Sequence, residues 1–206
     1  MKALLKQALD RLVQHKTLRD VLVNALARKG WVAGVRNNPF PSETSLRRAI
    51  LAPWCQGNGI DLGFGGDPIH ETAIRVDLQQ PYATGIHPTQ LAGDAARLHW
   101  FADGVLDFVY SSHLLEDFED TAGILREWLR VLKPGGHLVI LCPDEQRYRR
   151  HCETTGHPYN DHHIHGDFSL ATVTAHLRSL GNTTIVYEND AVEPYSWELV
   201  VSKLRA

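Results

Sequence analysis

The sequence predicts an α/β fold with a doubly wound, mostly parallel seven-stranded sheet and an antiparallel last strand. Three observations support this fold class. From residue 59 onward, short apolar segments alternate with segments of helical periodicity, a turn with three glycines follows the first apolar segment, and the last two strand-like segments have no helix between them. Such alternation is typical of parallel strands joined by right-handed crossovers, and the final pair should be antiparallel at the sheet edge.

The order of elements follows from this periodicity and from the positions of glycine and proline. Residues 45–52 could form a short helix before the first strand. Two longer helices are expected near residues 120–132 and 169–180. Strands are expected near residues 59–62, 73–77, 89–92, 105–111, 137–142, 183–188 and 196–203.

The first crossover should be unusual because only ten residues, 63–72, separate the first two strands. A crossover with a full helix needs at least about 10–12 residues, and Pro68 further restricts the backbone. We therefore predict that this helix is one turn long or absent.

The amino-terminal part of the chain differs from the rest in its charge. Apolar side chains recur at spacings of three and four over residues 2–29, and residues 1–30 carry seven Lys or Arg against two Asp. This pattern predicts an amphipathic helical extension and linker over residues 1–45, followed by one domain over residues 46–206. The extension could pack on the domain with its basic face in solvent, or residues 1–30 could contact a membrane surface peripherally.

The composition is that of a soluble globular protein, with 43% hydrophobic and 22% charged residues. Three cysteines without Cys-x-x-Cys spacing argue against a disulfide framework or a thiolate zinc site, and no apolar run approaches the roughly 20 residues that span a bilayer. We therefore expect a cytoplasmic protein. The net charge of -3, with the basic excess confined to the first 30 residues, argues against a nucleic-acid partner.

The glycine turn follows Asp61, an acid within an apolar strand, and contains Gly63, Gly65 and Gly66. Glycine permits positive φ and close approach of a ligand, so this turn at the carboxyl end of a strand predicts a shelf for a nucleotide-like molecule. Pro68 stands where a dinucleotide-binding fingerprint would need its third glycine, and the Gly-Lys-Ser/Thr of a P-loop does not follow.

Five sequence blocks occur in a defined order over residues 59–142. They are the Asp-Leu-Gly-Phe-Gly-Gly string at 61–66, Arg75-Val76-Asp77, Gly93-Asp94-Ala95, the segment 106–113, and the segment 125–138 with its Lys-Pro-Gly-Gly turn. This order resembles the class I methyltransferases that use S-adenosylmethionine, in particular small bacterial members similar to methyltransferase type 11. The resemblance implies a Rossmann-like sheet, S-adenosylmethionine as cofactor and methyl transfer as activity. The chain departs from the family pattern at Asp67, where the turn would carry its third glycine.

The resemblance also implies how the cofactor is held. Asp77 would accept hydrogen bonds from the ribose diol, Asp61 would orient the glycine turn, and Asp94 would accept the adenine amino group while the Ala95 backbone donates. The implied set is Asp61, Gly63, Gly65, Gly66, Asp77, Leu78, Asp94, Ala95 and Ser111. Asp77 could instead cap the segment that follows it, and Asp94 could belong to an ordinary turn.

Histidines are the candidates for acid–base chemistry. By the resemblance, His113 follows the fourth strand where cofactor and acceptor meet, and its imidazole could act as a general base for a hydroxyl acceptor. Further histidines cluster after the fifth strand, where the family places acceptor contacts. They are His151, His157, His162, His163 and His165. His163 and His165 would share one face of an extended segment and are the further catalytic candidates.

Together these features predict methyl transfer from S-adenosylmethionine to a small-molecule or glycan acceptor, at oxygen. No metal is predicted as part of the site. His163, His165 and Asp167 could nevertheless bind a divalent ion, so a metal-dependent enzyme is one alternative. A protein that binds S-adenosylmethionine without turnover is the other.

Overall fold

The computed structural model describes residues 42–78 and 87–205. Residues 1–41 of the predicted extension therefore lie outside the described residues. The membrane contact considered for residues 1–30 lies outside them as well. Within the described ranges, no helix is long and apolar enough to cross a bilayer.

The described part of the chain contains four α-helices and seven strands. The helices are α1 (Glu43–Leu51), α2 (Thr121–Val131), α3 (Glu145–Thr155) and α4 (Leu170–Leu180). The strands are β1 (Gly59–Leu62), β2 (Ile74–Asp77), β3 (Leu91–Ala92), β4 (Leu106–Ser112), β5 (Leu132–Pro143), β6 (Thr183–Val192) and β7 (Ser196–Lys203). All predicted strands and helices are confirmed in position, although β5 begins five residues earlier than predicted and α3 was not predicted.

The sheet has the strand order β3-β2-β1-β4-β5-β7-β6. The first five strands in this order are parallel, and β7 is antiparallel to both β5 and β6. The predicted fold class is therefore confirmed. The strand order reverses between β1 and β4, which lie side by side with Leu62 opposite Ser111. In open α/β sheets, ligands bind beyond the carboxyl ends of the strands at such a switch point.

The connection from β1 to β2 contains no helix, as predicted from its length, and every residue in it is described. Backbone and side-chain bonds shape it instead. The Asp67 N–H donates to the Phe64 carbonyl at 3.1 Å, and the Asp67 carboxylate accepts hydrogen bonds from Ser42 and Arg48. Because Arg48 lies in α1 and Ser42 caps it, α1 is tied directly to the glycine turn.

Apolar layers cover the two faces of the sheet. Successive strand residues point to opposite faces. Val109 and Ile140 therefore pack in the layer under α2 and α4, whereas Phe108 and Val139 pack in the other layer with Leu51 of α1. Each of these side chains is fully buried, which stabilises the fold by about 1.5–3 kcal/mol per side chain.

Helix α3 escapes sequence prediction because it has little apolar periodicity. Its buried residues are Glu145, Tyr148 and Cys152, a stripe at spacings of three and four that includes an acid. Asp144 caps the helix by accepting a hydrogen bond from the Arg147 N–H at 2.9 Å. The helix therefore starts at the carboxyl end of β5 and places a buried carboxyl group there.

Candidate functional site

The glycine turn lies at the carboxyl end of β1, beside the end of β2. Gly63, Gly65 and Gly66 all have positive φ, at 64°, 60° and 95°. The Gly63 N–H donates to the Val76 carbonyl at 2.9 Å, and the Gly65 N–H donates to the Asp77 carboxylate at 3.3 Å. The turn is thus fixed to β2 by its own backbone.

The three glycines have different steric surroundings. A Cβ on Gly63 would lie 2.8 Å from the Leu114 Cδ2 atom, so this glycine permits close packing. A Cβ on Gly65 would meet only the Gly63 carbonyl oxygen, at 3.9 Å. The space above Gly65 is therefore open, as a shelf for a ligand requires.

Asp61 provides a buried polar atom without a partner. Its side chain is fully buried in β1, its Oδ2 atom accepts a hydrogen bond from the Ile69 N–H at 2.7 Å, and its Oδ1 atom has no hydrogen-bond partner among the described residues. Burial raises the pKa of this carboxyl group well above its usual range. A buried oxygen of this kind fits a ligand that brings a cationic donor, such as an ammonium group.

Asp77 ends β2 with a partly exposed carboxylate. Its Oδ1 atom accepts a hydrogen bond from the Leu78 N–H at 2.8 Å, and burial raises its pKa. Leu78 itself is 57% exposed, so the surface beside the carboxylate is accessible. This arrangement suits the recognition of a diol, because each carboxylate oxygen has capacity for a further hydrogen bond.

Two further predicted cofactor residues, Asp94 and Ala95, follow β3. The Gly93 N–H donates to the Asp77 carbonyl at 3.0 Å, which places Asp94 just beyond the end of β2. Asp94 is exposed and forms a local turn, in which its Oδ1 atom accepts a hydrogen bond from the Ala96 N–H at 2.8 Å. The Ala95 carbonyl accepts a hydrogen bond from the indole of Trp128 at 2.8 Å.

Ser111 links the two strands of the switch point. Its side chain is buried in β4, and its Oγ atom lies 3.4 Å from the carbonyl oxygen of Leu62 in β1. The structure therefore brings Asp61, the glycine turn, Asp77 and Ser111 to one edge of the sheet.

His113 begins the other side of the site, directly after β4. Its φ is 50°, the one positive φ of a non-glycine residue in the described ranges, and such backbone strain in a non-glycine residue is common at functional sites. Its N–H donates to the Leu141 carbonyl at 2.8 Å, and its Nε2 atom lies 3.3 Å from the Ser196 Oγ atom. Burial, with a smaller contribution from nearby His163, lowers the pKa of His113 to about 3. The imidazole is therefore neutral at physiological pH.

Aromatic rings line the approach to His113. The Tyr195 ring lies 6.2 Å from the His113 ring, 4.9 Å from the Tyr148 ring and 5.1 Å from the His151 ring. The Tyr195 hydroxyl donates to the Glu43 carboxylate at 3.4 Å. These rings come from α3 and from the connection between β6 and β7, so they meet only in the folded domain.

His163 lies on the far side of Glu116 from His113. Its side chain is 5% exposed, and its Nδ1 atom lies 2.9 Å from the Glu145 Oε2 atom. Its Nε2 atom lies 3.7 Å from the Glu116 Oε1 atom, which in turn is 3.9 Å from the His113 Nδ1 atom. Two of the three predicted catalytic histidines are thus connected through Glu116.

His165 occupies a different place. Its Nε2 atom lies 2.7 Å from the Phe118 carbonyl oxygen, and its ring stacks on Phe168 at 5.8 Å. It lines a cleft between the amino-terminal ends of α2 and α4, together with Asp120 and His176. His163 and His165 therefore face different partners and do not share a face.

The histidine segment shows no converging ligands. Across residues 42–78 and 87–205, no group of three His, Cys, Asp or Glu side chains is arranged to hold a metal ion. His157, for example, lies 2.9 Å from the Pro158 carbonyl oxygen in an exposed loop. The geometry gives no support to the metal-dependent alternative from the described residues.

Sequence reasoning missed several residues on the His113 side of the site. Glu145 had a signal, because it follows the carboxyl end of β5, where polar residues meet at the edge of a parallel sheet. Tyr195 and Ser196 had none, because they reach the site from the β6–β7 hairpin, far along the chain.

The fold and the site define a Rossmann-like domain with an open glycine turn and carboxylates at its switch point. Residues 61–140 match a family model described as a methyltransferase domain. Demethylmenaquinone methyltransferase of Mycolicibacterium paratuberculosis is 51% identical over 51 residues, which are 25% of this chain and 22% of that protein. The corresponding protein of Mycolicibacterium vanbaalenii matches with the same identity over the same shares.

Solved structures share the fold. A methyltransferase from Archaeoglobus fulgidus that depends on S-adenosylmethionine has a TM-score of 0.62 and 17% identity, covering 82% of this chain and 98% of that one. The PH0226 protein from Pyrococcus horikoshii has a TM-score of 0.61 and 18% identity, covering 82% of this chain and 95% of that one. The chain is therefore similar to methyltransferase domains over residues 61–140, and it shares its fold with methyltransferases of solved structure. These similarities support S-adenosylmethionine as the cofactor, which the sequence resemblance implied.

Proposed function

We propose that this protein transfers the methyl group of S-adenosylmethionine to a hydroxyl oxygen of a small-molecule or glycan acceptor. One observation carries the proposal. An open glycine turn with carboxylates lies on one side of the switch point, and a neutral histidine beside an aromatic ring lies on the other. When bound, S-adenosylmethionine supplies a methyl group already activated by a cationic sulfonium. The residues of the site then mainly have to position the reactants.

The cofactor side would act through hydrogen bonds. The unpartnered Oδ1 atom of Asp61 would accept from the ammonium group, and the Asp77 carboxylate would accept from the ribose hydroxyls. Asp94 and the Ala95 backbone would contact the adenine. The remaining proposed contacts are Gly63, Gly65, Gly66, Leu78 and Ser111.

The acceptor side would act through His113. Because its imidazole is neutral, the Nε2 atom can accept the hydrogen of an acceptor hydroxyl in place of its contact with Ser196. Tyr195, which is only partly buried and lies beside His113, presents a ring on which a flat or sugar-like acceptor can stack. His163 and His165 are the further candidates, the first behind His113 and the second in the separate cleft.

Cofactor binding tests the first half of the proposal. Titration calorimetry with S-adenosylmethionine and S-adenosylhomocysteine should show binding to the wild type and at least a 30-fold loss in Asp77→Ala, since hydrogen bonds to a charged group contribute about 1.5–3 kcal/mol each. Asp103→Ala is the matched control, because this exposed carboxylate pairs with Arg130 before β4, at the opposite edge of the sheet. Absence of wild-type binding, or equal affinity in Asp77→Ala, would contradict the assignment.

Methyl transfer from tritium-labelled S-adenosylmethionine tests the second half. The acceptor panel should include phenols, sugars and demethylmenaquinone, the acceptor named for the relatives. We expect a product methylated at oxygen, and a rate at least about 100-fold lower in His113→Ala, since general base catalysis contributes about 10²–10⁴-fold. Methylation at carbon or nitrogen would contradict the proposed target atom.

A further inference from the structure

Four ionisable side chains form a buried row behind the acceptor side. The row runs from His113 through Glu116 and His163 to Glu145, with the successive separations of 3.9, 3.7 and 2.9 Å between facing atoms. These residues come from the end of β4, the turn after it, the loop after α3 and the start of α3. Burying ionisable groups is costly unless they are neutral, paired or hydrogen-bonded, so the protonation states within this row must match one another.

Glu116 stands in the middle of the row. Its side chain is 2% exposed, its Oε2 atom accepts from the Cys142 thiol at 3.3 Å, and its Oε1 atom has no hydrogen-bond partner within residues 42–78 and 87–205. Burial raises its pKa to about 8, so the carboxyl group holds a proton at neutral pH. One acidic hydrogen thus lies between two imidazole nitrogens, each a few tenths of an ångström beyond hydrogen-bond distance.

The two imidazoles differ in how well they can hold a positive charge. His113 has no carboxylate within hydrogen-bond distance, and its burial opposes protonation. His163 directs its Nδ1 atom at the Glu145 carboxylate, which also accepts from Arg149 at 2.6 Å and from the Tyr159 hydroxyl. A positive charge is therefore better compensated on His163 than on His113.

We propose that Glu116 and His163 form a proton relay behind His113, which passes the proton of the acceptor hydroxyl from His113 to His163. The inference rests on the proposed methyl transfer to oxygen. His113 takes the hydroxyl proton on Nε2 and releases the proton on Nδ1 to the Glu116 carboxyl group. Glu116 gives its own proton to the His163 Nε2 atom, so that one proton leaves the acceptor and one positive charge ends on His163 beside Glu145. Glu116 and His163 act through His113 and are positioning residues.

Other ionisable groups surround the relay. Asp117 follows Glu116 and faces both His162 and His163, and the Tyr148 ring lies 4.7 Å from the His163 ring. Among the described residues, the other ionisable groups that face the row are Asp117, Cys142, Tyr148, Arg149, Tyr159, His162 and, beside His113, Tyr195. Because Asp117 and Glu116 are both carboxyls, they raise each other's affinity for protons, which favours a protonated Glu116.

Nuclear magnetic resonance of the protein alone tests the relay. With isotope-labelled histidine, the ring signals of His113 and His163 should both change in one step near pH 8 with the same midpoint, as Glu116 loses its proton. Glu116→Gln should remove this step from both rings. Glu119→Gln is the control, because Glu119 is exposed and close in sequence, and it should leave the step in place. Persistence of the step in Glu116→Gln, or two different midpoints in the wild type, would overturn the proposal.

A second measurement covers the case in which Glu116→Gln does not fold. In wild-type protein with isotope-labelled glutamate carbonyl groups, one side-chain carboxyl signal should titrate with the midpoint of the two imidazoles; its absence would equally overturn the relay. These titrations need no acceptor, whereas a failure of the proposed function shows as absent cofactor binding or absent turnover. With an acceptor that turns over, Glu116→Gln should lower kcat about 10–100-fold and leave KM within about twofold.

Discussion

The two sides of the candidate site are built in different ways. On the cofactor side, backbone geometry dominates: three glycines with positive φ sit between β1 and β2, and the Asp77 carboxylate is partly exposed. On the acceptor side, side chains from β4, α3 and the β6–β7 hairpin converge around His113 and bury Glu116 and Glu145. The first side tolerates solvent and depends on a few backbone angles, whereas the second depends on buried charges being matched.

Two neighbouring arginines of α1 connect to these two sides separately. Arg47 binds Glu198 of β7 through two hydrogen bonds of 2.5 and 2.9 Å, and Glu198 is fully buried. Arg48 binds Asp67 in the glycine turn, where each side chain is 37% exposed. The pair offers a direct comparison of a buried and an exposed ion pair on one helix.

Loss of the buried pair should have the largest effect on stability. Arg47→Ala leaves the Glu198 carboxylate buried with the Tyr187 hydroxyl, at 2.7 Å, as its remaining side-chain partner. We expect the free energy of unfolding to fall by about 3 kcal/mol, since breaking a buried pair costs about 3–5 kcal/mol and Arg47 itself is partly exposed. Urea unfolding followed by circular dichroism measures this change. A loss below about 1 kcal/mol would show that the acceptor side does not depend on matched buried charge.

The pH dependence of stability should come from the acceptor side. Burial raises the Glu116 pKa from 4.5 to about 8, so the folded state binds more protons than the unfolded chain and loses stability as pH rises through 8. His113 acts in the opposite direction, because its lowered pKa reduces stability only as pH falls below about 6.5. Between pH 6.5 and 8, only Glu116 of these two residues changes the free energy of unfolding, which it lowers by about 2 kcal/mol as the pH rises.

Urea unfolding at pH 6.5 and 8.5 can isolate this contribution. The wild type should lose about 2 kcal/mol relative to Glu116→Gln over this interval, because the variant has no carboxyl proton to lose. Parallel pH profiles for the two proteins would mean that Glu116 is not protonated in the folded state.

The cofactor side should show the reverse behaviour, with a small effect on stability and a larger one on binding. Gly65→Ala adds a Cβ that meets only the Gly63 carbonyl oxygen at 3.9 Å, at a φ of 60°. Gly135→Ala is the matched control, since Gly135 has a φ of 82°, no atom within 4 Å of a Cβ, and a place at the amino end of β5. Both should lower stability by about 1–2 kcal/mol through left-handed strain.

Binding separates these two glycine variants. Only Gly65→Ala should weaken S-adenosylmethionine binding in calorimetry, by at least about tenfold or 1.4 kcal/mol, because the new methyl group stands over the turn. Equal affinities in the two variants would place the cofactor away from the glycine turn.

Sequence reasoning succeeded where local pattern decides structure. The strand positions, the missing first crossover helix and the glycine turn all follow from short segments with clear periodicity or residue type. It failed at α3, which has little apolar periodicity. It also failed at the Glu116–His163 contact, because this contact depends on residues 47 positions apart meeting in a buried space. The prediction that His163 and His165 share one face of an extended segment was wrong because each ring contacts a different element. The His163 ring contacts Glu145, and the His165 ring contacts the Phe118 carbonyl.

The smallest expected effect on stability comes from Arg48→Ala, yet it bears on the departure of this chain from its family pattern. Asp67 stands where a third glycine is usual and instead joins the turn to α1 through Arg48 and Ser42. The exposed pair should contribute only about 0.5 kcal/mol to stability. Without it, Ser42 is the remaining side-chain link between the turn and α1, so we expect S-adenosylmethionine affinity to fall about threefold, or roughly 0.6 kcal/mol. Arg47→Ala, at temperatures where it is folded, should retain wild-type affinity, and the opposite ranking of the two variants in calorimetry would refute the division between the two sides.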